Sequence, residues 1–263
     1  VSALPIKEAT RLALEVGRIL LQSGATTNRV ELMITKVCRS FGYGHTECFV
    51  TPTGIFLTVS DGEDQLSTSI KRIESRRTDL GKITEISHLV QKLERIHKDI
   101  TKENMSAAQL FEALARIDSA TPWPQWLQIV SGGTSAGFFC LLFGGSWHEF
   151  PVAIAVGLLV SLSIRYISRL SINNFLLNVI SSALVVLFAQ GMDIFVPYIK
   201  LDNIIIGGIM LLVPGLSIVN AIRDTMSGDL VSGTARAVEA IFIAVAIAVG
   251  SGTMMKLWAL MGY

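Results

Sequence analysis

The run LLVPGLSIVNAIRDTMSGDLVSG, Leu211 to Gly233, decides how this chain is read. It follows an apolar stretch and breaks it with a Pro-Gly pair, then adds an Asn and an Asp. From Ile204 to Val213 a helix rises about 15 Å, roughly half the hydrocarbon core of a bilayer, which predicts Pro214 near the midplane. Pro214 removes a backbone donor and crowds the carbonyl of Met210, while Gly215 lets the chain bend. Lipid offers no partner for freed backbone groups, so such a break must face protein or a wet cavity. Ser217, Asn220 and Asp224 follow at i, i+3 and i+7, on one helical face. Two readings stand side by side. One is a helix kink with Asn220 as interhelical glue and Asp224 solvated beside Arg223. The other is a polar substrate path leading from a broken transmembrane helix.

Composition supports a membrane setting. Hydrophobic residues make up 51% of the 263-residue chain, charged residues 16%, and formal net charge is +1; mean hydropathy is +0.53. The average hides a split, because 31 of the 43 charged residues precede Leu127. Cys38, Cys48 and Cys140 are odd in number and loosely spaced, which predicts reduced thiols rather than disulfides or a zinc site. The opening VSALPIKEATRLALEVGR lacks a signal peptide's apolar core, so the first half is expected to stay cytoplasmic.

Along the chain, helical periodicity covers Ile6 to Ser23 and stops at Gly24. A second helix capped by Thr26 or Thr27 reaches about Phe41. ECFVTP, GIFLTVS and QLSTSIKRI read as strands of one small sheet. Helices return at Ile83 to Ile100 and Ala107 to Ile117. TPWPQW, Thr121 to Trp126, then leads to apolar segments at Leu127–Phe143, Phe150–Ile167, Phe175–Met192, Ile204–Val219 and Ala237–Met261. The expected architecture is an α+β cytoplasmic domain over residues 1–121, followed over 122–263 by an all-α transmembrane bundle of five helices. Five spans with a cytoplasmic N-terminus put Arg165, Arg169, Arg223 and Arg236 inside, as the positive-inside rule requires, and the C-terminus in the periplasm.

Other polar residues invite function. Asn174 and Asn178 stand at i, i+4 near the start of the third expected span, as substrate ligands or as helix-to-helix hydrogen bonds. Ser131 to Gly137, SGGTSAG, permits close helix packing. Arg236 and Glu239 are spaced for a local ion pair, or for a gate. GATTNRVE, Gly24 to Glu31, reads first as a corner between two helices, and TPTGIF, Thr51 to Phe56, as a strand-to-strand turn. The first half contains no Walker loop, dinucleotide fingerprint or nucleophile elbow, and its histidines lack further ligands at metal spacing. No cofactor, no metal and no catalytic residue is expected, and transport would be driven by gradients or by a separate ATPase. Basic and acidic residues alternate, so nucleic acid is not an indicated partner.

GATTNRVE, TPTGIFLTV, the basic Arg72, Arg76 and Arg77, WLQIVSGGTSAGFFCLLFGGSW and LLVPGLSIVNAIRDTMSGDLVSGTARAVEA, in that order, resemble the threonine/serine exporter family over almost the entire chain. Within it the chain resembles the YjjP type, the larger subunit of a two-subunit bacterial exporter linked to succinate efflux. Asn174, Pro214, Gly215, Asn220, Gly228, Gly233 and Arg236 match the family motif, and Asp224 fits it; Asn178 stands at a variable position. The resemblance implies export of succinate or another C4-dicarboxylate, or of threonine or serine, across the bacterial inner membrane. It also implies a small five-span partner of the YjjB type, and a homo-oligomer remains open.

The substrate-path candidates are thus Asn174, Asn178, Pro214, Gly215, Ser217, Asn220, Asp224 and Arg236. For a dicarboxylate, Arg236 and Arg223 would attract the anion. For an amino acid, a half-helix N-terminus near Gly215 would meet the carboxylate and Asp224 the amine. The alternative is a membrane-anchored enzyme or sensor whose soluble domain is the active part.

Overall fold

The structure is a computed structural model that describes residues 4–62, 65–74, 77–98, 106–120, 123–170, 172–196 and 198–262. Arg76, Ile100 and the Thr121–Pro122 junction named above lie outside the described residues. The chain forms two units, Val1–Thr121 with Val219–Arg236, and Pro122–Ile218 with Ala237–Tyr263.

In the first unit, α1 (Ile6–Gln22) buries Leu12, Val16, Ile19 and Leu20, the stripe its periodicity predicts. It ends at Ser23, and Gly24 adopts φ +90°, the left-handed conformation that favours glycine. α2 (Thr27–Ser40) starts from an extended Thr26 whose side chain makes no capping bond. β1 (His45–Thr51), β2 (Gly54–Ser60) and β3 (Leu66–Arg72) form an antiparallel sheet in sequence order. Thr51 pairs with Gly54, so Pro52 and Thr53 make a two-residue hairpin loop, and Phe49 pairs with Phe56. Alternation then sends Ile55, Leu57 and Val59 inward and leaves Phe56 exposed. Ile83, Ile86, Val90 and Leu93 of α3 (Leu80–Lys98) join this core, as do Leu110, Leu114 and Ile117 of α4 (Ala107–Ser119). A reciprocal capping box between Ser106 and Gln109 starts α4.

The second unit contains α5 (Gln125–Leu142), α6 (Glu149–Ile167) with a short 3-10 turn to Leu170, α7 (Asn174–Asp193) and α8 (Leu201–Ile209). It also takes the first residues of α9 (Gly215–Met226) and most of α10 (Leu230–Leu260). Small residues let these helices meet backbone to backbone. A Cβ on Gly207 of α8 would stand 2.5 Å from the Ala136 carbonyl of α5, and one on Gly157 of α6 only 2.6 Å from the Ala136 Cβ. Val152, Val156, Val160, Val185, Val186 and Ile204 fill the core between α6, α7 and α8. Glu149 accepts from Ser146 N at 2.6 Å and Lys200 N at 2.9 Å, tying the α5–α6 turn to the segment before α8.

The expected α+β domain followed by a five-helix transmembrane bundle is not what forms. The described residues are predominantly helical, with ten α-helices and one small three-stranded sheet. Among the described residues three helices, not five, are long and apolar enough to cross a membrane: Glu149–Leu170, Asn174–Asp193 and Leu230–Leu260. The first expected span fails because Gln125, Gln128 and the Ser131–Gly137 run dilute the apolar character of α5. The fourth fails at its break. α8 stops at Ile209, and α9 starts only at Gly215, so Pro214 separates two short helices instead of kinking one long one. The arginine asymmetry counted for five spans therefore does not carry over.

Candidate functional site

Three of the expected site residues meet in the first unit. α9, the turn Ser227–Asp229 and the first turns of α10 form a helical elbow. Gly228 takes φ +89° in the turn, and Asp229 N donates to Asp224 O at 3.0 Å. Asp229 Oδ1 accepts from Ser232 N, capping α10. Gly233 packs directly on Thr225, where any side chain would collide with its Oγ1. The i, i+3, i+7 spacing of α9 puts Asn220 and Asp224 on the same side of the helix as Ser217, and both are buried.

That side is buried against GATTNRVE. Asn220 Nδ2 donates to Gly24 O at 3.1 Å, and an Arg236 guanidinium nitrogen donates to Ala25 O at 2.9 Å. Ser232 Oγ reaches Val50 O at 3.4 Å, while Val50 N donates to Glu31 Oε1 at 2.9 Å. Arg236 Nε stands 2.9 Å from Asp224 Oδ2. Asn220, Asp224 and Arg236 are 3%, 1% and 4% exposed. Gly24 takes the left-handed conformation at this corner, and the Gly24 and Ala25 carbonyls accept these side chains.

The charges are unequal. Glu31, Asp224 and Asp229 interact electrostatically around the single guanidinium of Arg236. Burial pushes the Asp224 carboxyl above its usual value against the pull of Arg236, and the Asp229 charge adds to the rise. Burial likewise raises Glu31. Asp229 is held below the usual carboxylate value, since its bonds to Ser232 outweigh desolvation. The buried Thr27 hydroxyl, at the first turn of α2, lies against the Asp224 and Asp229 carboxyls and favours their charged forms, as the Thr27 backbone N–H does for Asp224, although the side-chain contacts fall short of full hydrogen-bond alignment.

The remaining expected residues belong to the second unit. Asn174 opens α7 and is exposed, and its carbonyl accepts from Asn178 Nδ2 at 2.8 Å. Pro214 and Gly215 form the break, with Gly215 N donating to Val213 O at 2.8 Å, and Ser217 is half-buried in the first turn of α9. Sequence reasoning missed Thr27, Glu31 and Ser232 and the Gly24, Ala25 and Val50 carbonyls. Gly24 and Asn220 lie 196 positions apart, and backbone acceptors leave no mark in residue type. The only signal was that both segments belong to the blocks that carry the family resemblance. Among the described residues no group of three or more His, Cys, Asp and Glu is arranged to hold a metal ion.

Three long apolar helices among the described residues define a multi-pass membrane protein. The family profile described as "Putative threonine/serine exporter" matches residues 11–258, and the chain belongs to that family, which is one of exporters and not of enzymes. It is 27% identical to the "Probable succinate transporter subunit YjjP" of Klebsiella aerogenes, over 98% of this chain and 96% of that protein. It is 26% identical to the protein of the same description in Escherichia coli, over 98% and 97%. The "Probable threonine/serine exporter" of Mycobacterium tuberculosis is 24% identical over 94% of this chain but only 46% of its own length. No solved structure matches the chain significantly.

Proposed function

We propose that this chain is one subunit of a gradient-driven bacterial inner-membrane exporter for a small carboxylate metabolite, succinate or another C4-dicarboxylate, or threonine or serine. The observation that carries this reading is the end-to-end likeness to two proteins described as succinate transporter subunits. The Mycobacterium tuberculosis relative, described as a threonine/serine exporter, is about twice as long, which supports a smaller membrane partner of the YjjB type as the missing half. The family match favours export over a membrane-anchored enzyme or sensor.

The three candidate spans are odd in number, so they put the portion before α6 and the portion after α10 on opposite sides of the membrane, and this reading takes the first as cytoplasmic and the second as periplasmic. They also return the chain after α7 to the N-terminal side, where the elbow is needed. Within the apolar unit the proposed substrate path uses Asn174, Asn178, Ser217 and the Pro214-Gly215 break. Asn220, Asp224 and Arg236 contribute as the anchors of the elbow.

The test is efflux of succinate and of threonine from vesicles holding the chain together with its small partner. Efflux of one of them, lost when the chain is omitted, is expected. Retention of both substrates by correctly folded pairs would overturn the proposal.

A further inference from the structure

A hydroxyl buried in a membrane-spanning helix ordinarily bonds a carbonyl one turn back in its own helix, because lipid and packed side chains offer nothing else. The second unit does this at Ser163, whose Oγ donates to Leu159 O at 2.8 Å, at Ser182, which donates to Val179 O at 3.0 Å, and at Ser251, which donates to Ile247 O at 2.8 Å. Ser181 of α7 departs from the pattern. It is 1% exposed, and its Oγ has no hydrogen-bond partner among the described residues. A buried hydroxyl without a partner destabilises a fold, so packing does not account for a serine where an alanine would fill the same place.

Its place in the helix is the second observation. Asn174, Asn178, Ser181 and Val185 stand at i, i+4, i+7 and i+11 of α7, on one face. Along that face exposure falls from exposed Asn174 through half-buried Asn178 to buried Ser181. Val185 closes it at the next turn: it is fully buried, and a Cβ on Gly208 of α8 would stand 2.6 Å from its Cγ1. Val185 and Gly208 lie at matching distances from the α7–α8 connection, so the two helices run antiparallel, and α8 stops at Ile209 before it reaches the level of Ser181. Ser181, about 10 Å in from Asn174, therefore lies at the depth of the Met210–Pro214 break. It is the inner end of a polar face that an apolar contact seals.

We propose that the Ser181 hydroxyl is the innermost substrate ligand of the path, donating to the carboxyl oxygen that succinate, threonine and serine all carry. The assignment rests on the proposed exporter function and adds a residue to it. An uncharged hydroxyl meets that oxygen without bringing a desolvated charge of its own, and it rotates to suit an incoming group. Asn178, one turn nearer the open end, gives one amide hydrogen to the Asn174 carbonyl and keeps the second hydrogen and the amide oxygen for the rest of the substrate.

The test is initial-rate efflux of labelled succinate and of labelled threonine, over a range of internal concentrations, from vesicles holding the chain with its small partner, beside thermal unfolding of the same proteins in detergent. Ser181→Ala is expected to raise KM for the exported substrate about tenfold, the loss of one hydrogen bond to a charged group, with the maximum rate within about twofold of the parent. Its unfolding midpoint should not fall, since no internal bond is lost. Ser182→Ala removes a hydroxyl already bonded to Val179 O and should leave KM unchanged. An unchanged KM in Ser181→Ala, an equal rise in Ser182→Ala, or a lowered midpoint in Ser181→Ala would each overturn the assignment while the parent still exports. A parent pair that exports neither substrate would instead overturn the exporter function, and the assignment with it.

Discussion

Arg236 Nε lies 2.9 Å from Asp224 Oδ2, closing an ion pair between the start of α10 and the end of α9 with neither side chain more than 4% exposed. Removing one partner strands the other charge in a buried site. Arg236→Ala is expected to lower stability by about 3–5 kcal/mol. The Asp224→Ala/Arg236→Ala double variant should cost clearly less than the sum of the singles. Denaturant titration in detergent measures both, and additive losses would show that the pair does not act as a unit.

Asn220 contributes one amide bond to Gly24 O. Asn220→Ala should destabilise by about 1 kcal/mol, a typical net hydrogen bond, with somewhat more if the carbonyl is left dry. Asn178 is half-buried and its side-chain amide donates to the Asn174 carbonyl of its own helix, so Asn178→Ala should leave the unfolding midpoint nearly unchanged. If Asn178 belongs to the substrate path, its loss appears in efflux alone. Normal efflux from a folded Asn178→Ala pair would remove it from the path.

Gly207 leaves no room for a side chain, since the nearest atom to an added Cβ is the Ala136 carbonyl at 2.5 Å. Backbone cannot rotate away as a side-chain tip can. Gly207→Val should cost about 1–3 kcal/mol through overpacking of α8 on α5. Gly252, with nothing near it, accepts alanine without loss. Thermal unfolding of the two variants compares them, and equal midpoints would contradict this packing.

Burial raises the Cys38 thiol to about 11 and the Cys48 thiol to about 12. Both should resist maleimide at neutral pH in the folded protein and react after denaturation, because the thiolate is the nucleophile. Rapid labelling of either in the native state would show that the core of the first unit opens.

Glu15 makes the stability of the first unit pH-dependent. Burial would raise its carboxyl, but the bonds from Lys71 and Arg18 outweigh it and hold it below the usual 4.5. A depressed carboxyl stabilises the fold above its ordinary value, and that stability is lost as pH falls through the lowered one. Glu15→Gln should flatten the acid decline of the unfolding midpoint between about pH 5 and about pH 3, by about 1 kcal/mol for a partly exposed network. An unchanged acid limb would place the acid sensitivity elsewhere.

Local signals were legible wherever one residue type carries one physical constraint. The stripe of α1, the corner at Gly24, three strands with inward Ile55, Leu57 and Val59, and the second, third and fifth apolar segments all follow from periodicity and turn chemistry. The five-span count went astray at α5 and at the break, where length and apolar content were close to the limit. Ten residues before Pro214 looked like half a transmembrane helix, yet α8 ends at Ile209.

For the candidate site the sequence determined the pieces: Asn220 and Asp224 on one stripe of α9, Arg236 further on, and a GATT corner near the other end. Tertiary structure alone decided that these pieces meet. The acceptors are the Gly24 and Ala25 carbonyls, which every residue type possesses, and the partners lie 196 and 211 positions away. Helical spacing is a local property that side chains write into the sequence. Which buried charge finds which distant carbonyl depends on how the helices close around it, and only the folded chain contains that information.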